Sequence, residues 1–363
     1  MHVGIVGGGQ LGRMLCLAGS SLGIDCTTLD PAGRSSASQV APSIVGGFDD
    51  HQALARLAAA ADVVTYEFEN VPVASARFLA ELVPVLPPPE ALEVAQDRVA
   101  EKALFSQVGL PTAEHQAAGT LEELHGALER IGTPAVLKTR RLGYDGKGQV
   151  VIRDPLLAED AWRSIGELPA IVERFIGFER ELSIIAVRGR DGSTACYPLV
   201  ENRHRDGILR LSIAPAPDVT PELQTKAETH ITAVMGRLSY AGVMAIELFQ
   251  VGDELLGNEM APRVHNSGHW TIEGAETSQF ENHLRAVCGM PLGPCSSRGN
   301  SVMVNLIGSL PDPATVMRVP GAHLHLYGKE PRPGRKVGHV TLTSERGGRP
   351  DLEALAAAGV EAP

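Results

Sequence analysis

Positive charge is scarce in this chain. Lys and Arg number 32 against 43 Asp and Glu, a formal net charge of −11 over 363 residues. A nucleic-acid partner is therefore not expected, because binding a polyphosphate needs a positive field. Cysteine is sparse too: Cys16, Cys26, Cys196, Cys288 and Cys295 are scattered, odd in number and form no C-x-x-C pair. Reduced, mostly structural thiols in a cytosolic protein fit that pattern. No run reaches the roughly eighteen apolar residues of a membrane span, and the first residues read as a strand rather than a basic-then-apolar leader. A soluble, cytoplasmic protein is the expectation. Aromatics make up only 4 % of the chain, so aliphatic side chains must fill the core.

What is present is enough length for two or three well-filled domains. Strand and helix patterns alternate, which favours an α/β protein. Residues 1 to about 95 read as strands at HVGIVG, DCTTLD, DVVTYEF and VPVLP, with helices at LGRMLCLAGSSLG and DHQALARLAAAA. The proline run VLPPPEAL closes this part. A single helix, EVAQDRVAEKALFSQVG, follows, and a second α/β region covers about 113–178. A third, β-rich region is interrupted by the helix PELQTKAETHITAVMGRLS, and the tail from about 296 returns to strands and turns.

Gly7, Gly9 and Gly12 fit G-x-G-x-x-G between the first strand and first helix, with Asp30 ending the second strand. Glycines permit the tight turn, and the helix N-terminus offers N–H groups to an anion. That suits a dinucleotide, a phosphate or close packing; alone it supports an NAD-dependent oxidoreductase. Asp30 precedes Pro31 and fits a turn cap equally well.

In AVLKTRRLGYDGKGQVVI (135–152), Lys138 lies on an apolar strand just before Gly143, Gly146 and Gly148, and the strand pattern then resumes. This is a β-loop-β hairpin, whereas a P-loop would open a helix with G-x-x-x-x-G-K-[ST]. Such a flap can close backbone N–H groups over phosphates, with Lys138 adding charge at its base. A surface hairpin with a solvated lysine is the alternative.

VMAIELFQVGDELLGNEMAP reads as a hairpin. A three-residue GDE loop sets Glu247 opposite Glu259 on one face; a two-residue loop sets them on opposite faces. Facing carboxylates repel unless a cation lies between them. Mg²⁺ is the candidate, because it takes one or two protein carboxylates and leaves positions for phosphate oxygens. One exposed and one salt-bridged glutamate is the alternative. Arg263, His265, Asn266 and His269 follow at once, polar groups suited to a reacting anion. YGKEPRPGRKVGH gathers Lys329, Arg332, Arg335, Lys336 and His339 in a turn fit for a phosphate monoester, or for a solvated face. Glu67 and Glu69 close a parallel strand, and ligands bind off such carboxyl ends. Either Glu67 or Asn70 can meet a substrate there; Glu69 reads equally as a helix-start acid.

Eight segments in order, GGGQLGRM, YEFENVP, QDRVAEK, LKTRRLGYDGKGQ, ERFIGFERELSI, ENRHRDGIL, NEMAPRVHNSGHW and YGKEPRPGRKVGH, resemble the ATP-grasp superfamily. Within it the chain is similar, over nearly its whole length, to the N5-carboxyaminoimidazole ribonucleotide synthetase family, the ATP-dependent carboxylases of bacterial and fungal purine synthesis. The resemblance implies a Rossmann-like domain over 1–95 and an α/β lid over 113–178. The rest of the ATP-grasp region would cover 96–112 and 179–295, with a β-rich subdomain over 296–363.

The resemblance also implies residue roles. Arg98, Lys138 and the flap residues Gly143, Tyr144, Asp145, Gly146, Lys147, Gly148 and Gln149 would contact ATP phosphates. Glu173, Arg174, Phe175 and Ile176 would hold adenine largely through their backbone. Glu181 would bind the ribose with His204 nearby, and Asn258 would lie beside the nucleotide. Glu247 and Glu259 would bind Mg²⁺. Gln10, Leu11, Glu67, Asn70, Tyr144, Asp145, Asn266, Lys329, Arg335 and Lys336 would surround 5-aminoimidazole ribonucleotide. Arg263 and His265 would sit near bicarbonate, and with Lys138 and Asp145, a proton acceptor, would form the catalytic set. The first glycine loop then borders the ribonucleotide and holds no NAD.

The expected reaction is bicarbonate- and ATP-dependent carboxylation through carboxyphosphate. A homodimer, whose product is consumed by a mutase, is the expected assembly. Rival readings are a sister ligase such as the formate-dependent glycinamide ribonucleotide transformylase, an NAD-dependent oxidoreductase, and a non-catalytic nucleotide-binding regulator.

Overall fold

The computed structural model describes residues 1–143, 146–345 and 347–361. Tyr144 and Asp145, assigned above to the flap and the ribonucleotide, lie outside the described residues. The first strands form a parallel sheet in the order Ser43–Val45, Asp25–Asp30, His2–Val6, Val63–Tyr66. The winding reverses between the last two. The loops that leave those strands meet there, at the crevice where open α/β sheets bind ligands. VPVLP contributes only a bridge between Val85 and Val64, because its prolines cannot donate to a ladder.

The expected single helix over 93–109 is two helices, Pro89–Ala95 and Arg98–Gln107. The break has a local cause. The Asp97 carboxylate accepts hydrogen bonds from Val99 N and Ala100 N, at 3.1 and 3.5 Å, and starts the second helix.

The next sheet is antiparallel in the order His115–Ala118, Ala170–Arg174, Ala135–Thr139, Gln149–Ile152. Helices Leu121–Ile131 and Ala158–Ser164 cover it over an aliphatic core with Trp162. Lys138 pairs with Gln149, so the second glycine loop does connect two antiparallel strands.

The largest sheet runs Glu254–Ala261, Gly242–Val251, Arg180–Arg188, Val200–Arg205, Ile208–Ala214, Asn300–Ile307, Lys336–Ser344, Ala322–Leu326, with Thr194–Cys196 beside Arg180–Arg188. The C-terminal strands therefore continue the sheet that carries the two glutamates. Alternation along Gly242–Val251 is clean. Met244, Ile246 and Leu248 join the core under helix Pro221–Arg237, and Val243 and Ala245 join a core shared with the first domain. Glu247 continues the second row and so points to the junction with that domain. Each aliphatic side chain fully buried in these cores contributes about 1.5–3 kcal/mol. Among the described residues all five cysteines are free thiols, and no helix is long and apolar enough to cross a membrane.

Candidate active site

The glycine turn after the first strand holds a carboxylate of the protein's own. Glu67 accepts hydrogen bonds from the backbone N–H groups of Gly9 and Gly12, the latter at 2.6 Å. The N-terminus of helix Gln10–Ser21 is thereby already matched with an anion. A Cβ on Gly7 would collide with Glu67 Cγ, and one on Gly9 would lie 2.5 Å from its Oε1, so these two glycines make room for it. Asp30 accepts from Gly8 N at 2.9 Å and Ala32 N at 2.8 Å and is a turn cap. A dinucleotide pyrophosphate has no place here, and the oxidoreductase reading falls with it. Burial raises the Glu67 carboxyl above its ordinary range, against the two N–H groups and the charge of Lys329.

The hairpin expectation needs one correction. Val251 lies opposite Glu254 across a two-residue turn, not a three-residue one. Glu247 still faces Glu259, because Asn258 is an extra residue in the second strand, a β-bulge that restores the pairing. Lys102 holds the bulge in shape: its Nζ donates to Gly257 O at 3.1 Å and Asn258 O at 2.8 Å. Burial and the charge of Glu259 together raise Glu247 to about 7. Burial also pushes Glu259 up, but Arg98, 2.9 Å away, brings it net below its ordinary range. A facing pair in which one member holds a proton near neutrality fits a divalent cation. Among the described residues no group of three or more His, Cys, Asp or Glu could hold a metal, so phosphate oxygens and water would complete the shell, in the manner of Mg²⁺.

Lys138 Nζ donates to Glu173 Oε2 at 2.9 Å and to Asn258 Oδ1 at 3.2 Å. Lys102, 1 % exposed, lies 3.6 Å from the other Glu173 oxygen. Burial alone would raise the Glu173 carboxyl, but Lys138 and then Lys102 pull it down to about 2. Its folded value lies below the ordinary 4.5, so its stabilisation is complete above pH 4.5 and is lost as pH falls toward about 2. Thermal melts of the wild type should show a steep acid limb in that window, and Glu173→Gln a flatter one. An unchanged slope in Glu173→Gln would assign the acid limb to other groups.

Arg98 also donates to Gly143 O at 3.3 Å, and Asp97 binds Arg140 at 2.7 Å and Arg141 at 3.2 Å. The base of the flap is thus tied to helix Arg98–Gln107. Arg263 forms an ion pair with Glu69 and donates to Val264 O at 2.9 Å. His265 Nε2 lies 3.5 Å from Glu247 Oε1 and its Nδ1 lies 2.9 Å from Ser267 Oγ. Burial, followed by the charge of Arg263, lowers His265 to about 3, which keeps it neutral. His204 Nδ1 approaches Glu181 Oε2 at 2.7 Å in an ion-pair contact without hydrogen-bond alignment. Burial pushes His204 down, yet Glu181, with the charges of Glu247 and Glu259, outweighs it and leaves the imidazole above its ordinary value. Lys329 donates to Gln10, and Ser36 Oγ to Tyr327 O at 2.6 Å, so the last third of the chain closes on the first helix and on the loop after the second strand.

These groups line a cleft of about 900 Å³. Gln10, Leu11, Glu67, Asn70, Arg98, Lys138, Gly146, Lys147, Gln149, Glu173, Arg174, Phe175, Ile176, Glu181, His204, Glu247, Asn258, Glu259, Arg263, His265, Asn266, Lys329, Arg335 and Lys336 all line it. Gly143 lines a smaller adjoining cavity, and Gly148 packs against Thr139. Arg174 pairs with Glu114 at 2.6 Å, so its side chain is engaged outside the nucleotide. Both polar side-chain atoms of Asn266 are buried without a hydrogen-bond partner among the described residues, as suits a group that meets a ligand.

Sequence reasoning missed four residues that matter here. Phe178 and Phe249 stack at 4.6 Å and 6° and give the cleft an aromatic wall. Glu101 and Lys102 are buried beneath the bulge, with Glu101 accepting from Met260 N at 2.6 Å. Burial pushes Glu101 up to about 8. Their signal was the i, i+3, i+4 spacing of Arg98, Glu101 and Lys102 on one helix face.

Three family models match the chain in order: ribonucleotide synthetase preATP-grasp domain over 1–96, ATP-grasp domain over 103–280, and phosphoribosylaminoimidazole carboxylase C-terminal domain over 301–349. The N5-carboxyaminoimidazole ribonucleotide synthase of Pseudomonas aeruginosa is 50 % identical over 342 residues, 94 % of either chain. That of Bacillus subtilis is 39 % identical over 351 residues, 94 % of this chain and 91 % of its own. The crystal structure of the synthetase from Thermus thermophilus matches with TM-score 0.92 at 56 % identity, covering 98 % of this chain and 96 % of that one. The Aspergillus clavatus synthase, in complex with ADP and 5-aminoimidazole ribonucleotide, matches with TM-score 0.92 at 32 % identity over 99 % and 98 %. The chain belongs to the N5-carboxyaminoimidazole ribonucleotide synthase family of ATP-grasp ligases.

Proposed function

We propose that the chain joins bicarbonate to the exocyclic amine of 5-aminoimidazole ribonucleotide with cleavage of ATP. The products are N5-carboxyaminoimidazole ribonucleotide, ADP and phosphate, a step of purine biosynthesis. One observation carries the reading. A single cleft joins an aromatic wall, a carboxylate pair flanked by Arg98 and Lys138, and the cationic turn of Lys329, Arg335 and Lys336. That is the complement of a purine, a triphosphate with its cation, and a phosphate monoester.

Bicarbonate is a poor electrophile, and phosphorylation gives carboxyphosphate, which has a good leaving group. On this reading Lys138, which donates to Glu173 and Asn258, neutralises the transferring phosphoryl group, a reaction in which positioning and electrostatics dominate. Glu247 and Glu259 would hold Mg²⁺, which would supply further charge neutralisation. Arg263, oriented by Glu69, offers donors to charge that develops on the acyl phosphate, and neutral His265 adds no charge of its own. The amine then attacks carboxyphosphate, or CO₂ released from it, and Asp145 takes the amine proton. Arg335 and Lys336 grip the ribonucleotide phosphate, with Lys329 locked to Gln10 beside it. On this reading the enzyme is a cytoplasmic homodimer, and N5-carboxyaminoimidazole ribonucleotide mutase consumes its product.

Phosphate release from Mg-ATP in bicarbonate buffer tests the reading. Strong stimulation by 5-aminoimidazole ribonucleotide, and none by glycinamide ribonucleotide with formate, is expected. No stimulation by the former with ATP binding intact would overturn the substrate, and stimulation by the latter pair would move the chain among the formate-dependent ligases.

A further inference from the structure

One imidazole bridges the two halves of the molecule beneath the site. His283, on helix Gln279–Cys288, is fully buried and lies outside the lining of the cleft. Its Nε2 is 2.8 Å from Thr65 Oγ1, on strand Val63–Tyr66 of the first sheet. Its Nδ1 accepts from Val243 N at 3.1 Å, on strand Gly242–Val251 of the largest sheet. The tautomer follows from these partners. A backbone N–H can only donate, so Nδ1 is the acceptor and the ring proton sits on Nε2, directed at the Thr65 hydroxyl. Burial lowers the imidazole to about 3, which keeps the ring neutral. Strand Glu254–Ala261 pairs with Gly242–Val251 only from Ala245 onward. Beyond that end Val243 N meets His283, and Val243 O accepts from Tyr240 Oη at 2.8 Å. Gly242 permits the approach: at φ +127° it has no Cβ, and one there would stand 3.1 Å from His283 Cε1.

Thr65 precedes Glu67 by two residues and Glu69 by four, and Val243 precedes Glu247 by four. A single side chain therefore ties the root of the strand behind Glu67 and Glu69 to the root of the strand that carries Glu247. Around it the contact is apolar, with Leu11, Leu15, Val63, Val243, Ala245 and Leu284 in one core. Apolar packing is non-directional, whereas a bridge with one donor and one acceptor fixes a register. The ties of Glu69 to Arg263 and of Lys329 to Gln10 use side chains that line the cleft and face its ligands; the His283 bridge faces none. We propose that His283 is a positioning residue that sets the gap between the phosphoryl-transfer half and the acceptor half, and so governs whether the activated carboxylate reaches the amine or is lost to water. The inference rests on the carboxylation reading above. In the productive cycle the amine nitrogen bonds to the carboxyl carbon, the bond from that carbon to the phosphate oxygen breaks, and the amine gives up a proton. In the lost cycle water takes the place of the amine and yields bicarbonate and phosphate, so the net change is hydrolysis of ATP. A misplacement of about 1 Å can slow a positioned step roughly 10²-fold, and attack by water does not depend on that position.

The ratio of ADP formed to carboxylate fixed tests it, measured with labelled bicarbonate and both nucleotides saturating, the product being held at alkaline pH. The wild type should form the two in nearly equal amounts. Thr65→Val keeps the shape and removes the hydroxyl, while Thr65→Ser keeps the hydroxyl. His283→Asn retains an acceptor near the Nδ1 position for Val243 N but cannot reach Thr65. The ratio should rise at least about threefold in Thr65→Val and His283→Asn and stay within about 1.5-fold of wild type in Thr65→Ser, with the KM for ATP within about twofold in all three. An unchanged ratio in Thr65→Val and His283→Asn, even with a lower melting temperature, would make His283 a structural strut only and leave carboxylation standing. An equal rise in Thr65→Ser and Thr65→Val would overturn the hydroxyl bridge. A KM for ATP that climbs in step with the ratio would overturn the proposal as distortion of the nucleotide half. A wild type that fixes no carboxylate would overturn carboxylation and this inference together.

Discussion

Glu259→Gln should lower kcat roughly 10³-fold, the scale on which loss of a transition-state charge partner falls in phosphoryl transfer, with little change in melting temperature. The amide fills nearly the same space, and the side chain is 42 % exposed to the cleft, so packing is hardly touched. Its charge does two things that the amide cannot. It holds Arg98 at 2.9 Å, and with Glu247 it forms the carboxylate pair that fits a cation. In the variant Glu247 faces a neutral partner and ionises more easily, since the charge of Glu259 is, after burial, the largest influence that raises it. Phosphate release at saturating Mg-ATP measures the loss, and titration with Mg²⁺ should give a weaker apparent affinity. Turnover near wild type would remove Glu259 from the metal site.

Lys102→Met should cost about 3–5 kcal/mol of stability, the range for breaking a buried charge pair by removal of one partner. The methionine fills the volume but leaves the Gly257 and Asn258 carbonyls unpaired and Glu173 with Lys138 alone. The effect reaches function through the bulge. If Asn258 rejoins the ladder, the strand shifts by one residue and Glu259 turns to the opposite face. A roughly tenfold rise in the KM for ATP should therefore accompany the stability loss. Urea denaturation and ATP kinetics read the two effects separately. Lys102→Met/Glu173→Gln should regain part of the stability and none of the ATP affinity. Wild-type values for both in the single variant would show that the bulge does not depend on Lys102.

The two glycine loops and the glutamate pair were legible because they are local: spacing within one turn or one hairpin defines them. Their occupants were not. Gly12 meets the Glu67 carboxylate across 55 residues, so whether the loop holds a dinucleotide or the protein's own acid depends on what folds opposite it. The hairpin shows the same limit. Its turn length misled, while the Glu247–Glu259 pairing survived, because the bulge that restores it is pinned by a lysine 155 residues away. Glu101 and Lys102 stood within QDRVAEK, yet charges at i, i+3 and i+4 read as a solvated face until a strand packs over them. Spacing and charge carried a nucleotide, a cation and an anionic acceptor. The identity of the acceptor rested on the order of eight motifs.

The contact between Lys329 and Gln10 spans 319 residues. Synthesis proceeds from the N-terminus, and domains fold as units while the chain emerges. Lys138, Glu247 and Glu259 therefore leave the ribosome well before the turn that grips the acceptor's phosphate. A nascent chain holds the residues of the phosphoryl-transfer wall before it holds those of the acceptor clamp. The last segment to be made is the one that turns a nucleotide pocket into a two-substrate enzyme, so loss of the tail by early termination or proteolysis should remove productive coupling before it removes nucleotide binding.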